Sequence, residues 1–169
     1  MKPFTGWFLG CTLGLGLVGC SSDGADRPVR KFLGDDRIRM LESSQVRAYR
    51  VDPERSAQGE SADAQAGFFV TAEGPELSAA QRTVFRDLVF DEGNWDFDRA
   101  KSCEFMPGVA LRFVNGDEVM VVLLCFSCDE WGFHHDGKTR IEDNDQARRP
   151  LIRLAQELFP DDPVVQKLH

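Results

Sequence analysis

The run Val109-Ala110-Leu111-Arg112-Phe113-Val114-Asn115-Gly116-Asp117-Glu118-Val119-Met120-Val121-Val122-Leu123-Leu124-Cys125 decides the fold. Two apolar, β-prone stretches flank Asn115-Gly116, a dipeptide suited to a type I′ hairpin turn because both residues tolerate positive φ. A two-residue loop there pairs Val114 with Asp117. Carried outwards, the register sets Leu111 opposite Met120, Val109 opposite Val122, Phe105 opposite Phe126 and Cys103 opposite Cys128. Alternation then places Cys103, Phe105, Val109, Leu111 and Phe113 with Met120, Val122, Leu124, Phe126 and Cys128 on one core face. Glu118 is the misfit on that face, close enough to the turn to reach water. Pro107-Gly108 marks an edge or a bulge, and a bulge slips the register beyond it. Val119, Val121 and Leu123 make the second strand apolar on both faces, as a central strand is.

Working outward, Trp131 to Phe133 reads as a third strand, and Asp136-Gly137 offers a second hairpin turn returning through Lys138 to Ile141. Upstream, Gln45 to Val51 and Phe68 to Thr71 read as strands. Residues 52–66 read as an exposed loop, and Glu73-Gly74-Pro75 as a strand stop. Ser78 with Gln81 forms a capping box, opening a helix whose Val84, Phe85, Leu88 and Val89 recur at helical spacing. A last helix begins near Pro150, a residue the first turn tolerates, and buries Leu151, Ile152, Leu154, Ala155 and Leu158. This order predicts an α+β fold: an antiparallel sheet centred on a 103–128 hairpin, with helices at about 78–90 and 150–159 on one face.

The N-terminus is of a different kind. Lys2 precedes an apolar run from Phe4 to Val18, and Leu17-Val18-Gly19-Cys20 closes it. The run is shorter than the ~20 residues a membrane span needs, and its layout is that of a removed targeting segment. It resembles a bacterial lipoprotein signal peptide with its lipobox. The resemblance implies cleavage before Cys20, a diacylglyceryl thioether on its sulfur and a palmitate-type acylation of its new amino group. The partner so implied is a membrane, reached through the lipid on Cys20. Ser21, where Asp would favour inner-membrane retention, implies the outer membrane facing the periplasm in a Gram-negative cell envelope. The domain organisation expected is a signal peptide over 1–19, a lipidated N-terminus and flexible tether over 20–44, and one globular domain over 45–169.

Lys2 is the one charged residue lost with the signal peptide, so the formal net charge of −8 becomes −9 in the mature chain. Such an acidic chain without a basic patch is a poor partner for nucleic acid. There is no GxSxG, HExxH or P-loop, and Asp91, Glu92, Asp96 and Asp98 lack the spacing of a calcium loop. Trp95 and Phe97 among them are expected to pin that loop to the core.

The chemistry rests on cysteines. Cys11 leaves with the signal peptide and Cys20 takes lipid, so Cys103, Cys125 and Cys128 remain. In the first reading Cys103 and Cys128 form a cross-strand disulfide, their Cα atoms ~4.5 Å apart as a non-hydrogen-bonded pair, and Cys125 is a buried hydrophobe; a variant of this reading uses Cys125 in the disulfide. In the second, Cys103, Cys125 and Cys128 with His134 or His135 hold zinc. In the third, Cys125-x-x-Cys128 is a redox pair, although Asp129 and Glu130 disfavour the thiolate that such a motif needs. The pattern CxFxPGxAxRF from Cys103 to Phe113, followed by LLCFxC from Leu123 to Cys128, resembles uncharacterised bacterial proteins with a comparable cysteine hairpin. That resemblance carries over no activity and implies that the three cysteines belong to one site. The function expected is a non-catalytic binding or structural module needing no cofactor. The alternative is a metal-binding or thiol-redox protein using the Cys103/Cys125/Cys128 cluster.

Overall fold

A computed structural model describes residues 27–56, 64–99 and 101–169. Cys11, Cys20 and the lipobox lie outside the described residues. The elements run α1 (Pro28–Leu41), β1 (Gln45–Ser56), β2 (Ala64–Gln65), β3 (Phe68–Glu76), α2 (Ala79–Phe90), β4 (Val109–Asn115), β5 (Glu118–Cys125), β6 (Glu130–His135), β7 (Lys138–Asp143) and α3 (Arg148–Leu158). The strands form one seven-stranded antiparallel sheet in the order β2-β3-β1-β4-β5-β6-β7. The fold is α+β.

All three helices cover one face of the sheet. Leu33 and Met40 of α1, Phe85 and Val89 of α2, and Leu151 and Leu158 of α3 pack on Val46, Ala48, Val109, Leu111, Phe113, Met120, Val122, Leu124, Trp131 and Phe133. The capping box forms as the sequence predicts: Ser78 Oγ accepts from Gln81 N–H, and Gln81 Oε1 accepts from Ser78 N–H. Trp95 does pin its loop, donating from Nε1 to the Val89 carbonyl at 2.8 Å and packing 4.4 Å from the Trp131 ring centroid. On the other face Val51, Ala110, Val121 and Leu123 form a smaller apolar cluster beneath Tyr49, Phe68 and Phe105.

The central hairpin differs from the expected one by a single step of its turn. Gly116 takes a positive φ of 59° and Asp117 does not, so Gly116-Asp117 forms the loop and Asn115 pairs with Glu118. Glycine first in a two-residue loop is the type II′ pattern. The partners therefore become Leu111 with Val122 and Val109 with Leu124. Moving both strands by one residue each preserves alternation, so the core face from Val109 to Phe113 and from Met120 to Leu124 is as expected. Glu118 is set beside Arg39 of α1, which bonds both its carboxylate oxygens at 2.9 Å. The regular pairing stops at Gly108, whose N–H reaches the Leu124 carbonyl. Residues 101–108 lie outside the strands, and Phe105 crosses to the second face, correcting its placement in the main core.

Two other expectations are corrected. The expected tether over 20–44 includes α1, which buries Val29, Leu33, Met40 and Leu41, so the globular unit begins by Pro28 rather than at residue 45. The strand stop at Glu73-Gly74-Pro75 is a bulge: β3 continues to Glu76, with Gly74 and Pro75 both set against Ala48 between the pairs Tyr49–Glu73 and Arg47–Glu76. A bulge frees Pro75 from the ladder bond it cannot donate. The expected loop over 52–66 likewise yields strand at 52–56 and 64–65.

Candidate functional site

Cross-strand pairing across β5, β6 and β7 puts Cys125, Glu130 and Asp143 in one row on the helix-free face. The row lies at the sheet end where β5 stops and the turn over 126–129 begins. That turn is held by Arg148 at the start of α3, which donates to the Phe126 carbonyl and to Asp129. Asp129 takes a φ of 54°, and its carbonyl accepts from the Asn144 N–H at 2.8 Å.

Lys101 enters this corner from the segment before β4. Its ammonium donates to the carbonyls of Cys128 at 2.6 Å and Asp129 at 3.2 Å and to Asp145 Oδ1 at 2.5 Å, and it lies 3.5 Å from Asp143 Oδ1. Burial pulls Lys101 down, but Asp145 and Asp143 outweigh it and hold the ammonium above its ordinary pKa. Burial pushes Glu130 above the ordinary carboxylate range, and the facing Asp143 adds to the shift. Burial also raises Asp143, against the pull of Lys101. Glu142 is raised by burial too, against the hydrogen bond its Oε1 accepts from the Asp143 N–H. Neither Glu130 nor Glu142 has an ion-pair partner among the described residues.

These groups line a pocket of about 470 Å³ together with Phe97, Asp98, Arg99 and Ile141. Glu130 is 9% exposed and Asp143 2%, yet Glu130 Oε2 and Asp143 Oδ2 have no hydrogen-bond partner. Trp131 Nε1 is the one other such atom among the described residues, so the unsatisfied polar groups are concentrated here. Buried polar atoms are nearly always bonded, and each exception calls for a physical reason.

The three mature cysteines divide. Cys103 and Cys128 sit at disulfide-bonding distance, with Cα atoms 6.2 Å apart, wider than the ~4.5 Å of a non-hydrogen-bonded pair because neither residue lies in a strand. Cys125 is buried and apart; its sulfur accepts from the Met106 N–H at 3.3 Å and contacts Ser127 Oγ at 3.2 Å. His134 and His135 lie four and five residues along β6 from Glu130, which at ~3.3 Å per residue is ~13–17 Å away. The expected zinc set of Cys103, Cys125 and Cys128 with His134 or His135 is therefore not assembled. Among the described residues, the ligand-type atoms that do converge, within 4.8 Å of one another, are those of Cys103, Cys128 and Glu130.

Sequence reasoning missed Lys101, Glu130, Glu142 and Asp143. The signal for two of them was present: the Asp136-Gly137 turn pairs His135 with Lys138, and that register continues to Glu130 opposite Asp143. The chain matches no family model, no curated protein and no solved structure.

Proposed function

We infer that this protein is a lipid-anchored exported binding module of the cell envelope, tethered through Cys20, whose pocket takes an organic cation with an apolar stem. The observation that carries the ligand class is the pair of buried, unpartnered carboxylate oxygens, Glu130 Oε2 and Asp143 Oδ2. Such oxygens are costly unless a donor meets them. Phe97 and Ile141, 38% and 41% exposed, stand at the same pocket and suit an alkyl chain. A primary ammonium supplies three donors to the carboxylates while its stem covers the two apolar side chains. Among the described lining residues there is no hydroxyl, thiol or imidazole to act as a nucleophile, and the Lys101 ammonium is tied to Asp143 and Asp145, which favours holding a ligand over transforming it.

Titration of the full chain with cadaverine at fixed ionic strength, followed by calorimetry, tests the ligand class. Saturable binding that weakens about tenfold or more in Glu130→Gln supports it. Absence of binding, or equal binding by the variant, overturns it. The anchoring is tested separately: Cys20→Ser should move the protein from the membrane fraction to the soluble or precursor fraction, and unchanged acylation of the variant removes the lipobox reading.

A further inference from the structure

The convergence of Cys103, Cys128 and Glu130 has chemistry that a disulfide does not use. We propose that in the dithiol state these three residues bind one thiophilic divalent cation of the Zn²⁺ class. Their Sγ and carboxylate oxygen atoms lie within 4.8 Å of one another, a span that one ion reaching ~2.3 Å to sulfur and ~2.0–2.2 Å to oxygen can bridge after a small separation of the sulfurs. Glu130 is 9% exposed, and its carboxylate, whose Oε2 is buried without a hydrogen-bond partner, faces no cation at ion-pair distance among the described residues. Cys128 is held by the turn over 126–129, while Cys103 is exposed and opens the site to solvent. Asp143, opposite Glu130 on β7, adds negative charge with its own unpartnered oxygen, and Lys101 on the Cys128 carbonyl offsets the excess.

The stoichiometry is simple. The cation forms two metal–sulfur bonds and one metal–oxygen bond, and two thiol protons pass to solvent; no electron is transferred. The dithiol is the state in which the chain is synthesised, so cation binding and oxidation to the Cys103–Cys128 disulfide are competing fates of the same two sulfurs. Cys125, whose sulfur is engaged with Met106 and Ser127, takes no part. This proposal shares Glu130 with the ammonium pocket but does not need an organic ligand, and it concerns the reduced protein rather than the oxidised one.

The experiment uses the full chain carrying Cys11→Ser and Cys20→Ser, reduced with a phosphine, and Cd²⁺ as the probe. Thiolate coordination is read as near-ultraviolet charge-transfer absorption, and stoichiometry by elemental analysis after gel filtration. One ion per chain is expected, with the absorption retained in Cys125→Ser, abolished in the oxidised protein and in Cys103→Ser, and the affinity lowered about tenfold or more in Glu130→Gln. Glu130→Gln keeps both thiols, so it remains informative should a cysteine variant fold poorly. No thiolate absorption in the reduced protein, wild-type affinity in Glu130→Gln, or loss of binding in Cys125→Ser each overturns the proposal. Cadmium failure with cadaverine binding intact leaves the ammonium pocket standing alone, and the reverse result leaves the metal site alone.

Discussion

Glu130 and Asp143 face each other across the β6–β7 ladder, each with one buried carboxylate oxygen that receives no hydrogen bond. Two like charges directly opposite on a sheet repel, and here the solvent that normally screens them is largely removed. Lys101 resolves half of the conflict: it lies on Asp143 Oδ1, not on Glu130. The corner is therefore built with a surplus of negative charge, and such surplus in a folded domain is either relieved by a proton or by a ligand.

Glu130→Gln should raise stability at neutral pH while it weakens binding at the pocket. The folded-state pKa of Glu130 lies above its unfolded value, so the folded protein holds the proton more tightly. The group then favours folding most below the unfolded value, and that advantage is lost as pH rises through the folded value. Glutamine is neutral throughout and can donate to Asp143. The stability difference, variant minus wild type, should grow as pH climbs from the carboxylate range towards neutrality, read by urea unfolding at a series of pH values. A destabilised variant with a flat difference profile would show that Glu130 is an ordinary structural carboxylate.

Asp162 should show the opposite sign. It lies 2.7 Å from Arg50 Nε, with the two side chains 22% and 13% exposed, and accepts from the N–H groups of Val164 and Val165. Burial works against its charge, but the Val165 and Val164 N–H groups and Arg50 together hold its pKa below the ordinary value. Its contribution is present above the unfolded value and is lost as pH falls through the folded one. Asp162→Asn keeps the acceptor oxygen and loses the charge, so it should cost about 1–3 kcal/mol at neutral pH. The cost should vanish in acid; a cost independent of pH rules out the ion pair as its source.

The sheet was legible because its evidence is local. Asp136-Gly137 takes positive φ at both residues, 51° and 67°, and the alternation from Val109 to Leu124 survives the one-step displacement of its turn. α1 was not legible for an equally specific reason. Its buried positions are Val29, Leu33, Arg37, Met40 and Leu41, so a charged residue stands in the middle of the apolar stripe. Gly34, with a φ of 74°, breaks the regular helix beside it. A stripe interrupted by arginine and glycine among acids reads as solvated chain, and only the tertiary partners of Arg37 show otherwise. The site was hidden likewise: Glu130 and Asp143 look like surface acids until Lys101, remote in sequence, is folded against them.

Arg37 gives that reading a direct test. Arg37 is 7% exposed, and its guanidinium donates to the carbonyls of Phe133 at 3.3 Å and Lys138 at 3.0 Å, stitching α1 to both strands of the β6–β7 hairpin. Arg37→Ala deletes the packed stem and leaves those carbonyls without their donor. A loss of about 2–4 kcal/mol is expected in denaturant unfolding. Exchange of the α1 amide protons should accelerate in the variant even under conditions where the sheet stays protected. A change below about 0.5 kcal/mol, the range of ordinary surface substitutions, would show that α1 does not depend on this contact.

The last prediction separates the two fates of the sulfurs through stability alone. Cys103 and Cys128 enclose a separation of 25 residues, for which the chain-entropy account of a cross-link gives roughly 3.5 kcal/mol. Under oxidising conditions Cys103→Ser should remove most of that stabilisation, measured as a shift in the urea midpoint. Under reducing conditions without metal, wild type and variant should converge, because neither then has the cross-link. Lys101 still ties the free segment to the carbonyls of Cys128 and Asp129, so the residual fold should persist in the variant. Addition of Zn²⁺ to the reduced wild type should restore stability that the variant cannot recover, rising with the logarithm of free metal once it exceeds the dissociation constant. Equal stabilisation of both proteins by zinc would place the cation somewhere other than the sulfurs, whereas no loss on substitution in the oxidised state would mean that the two thiols do not close a cross-link in the folded chain.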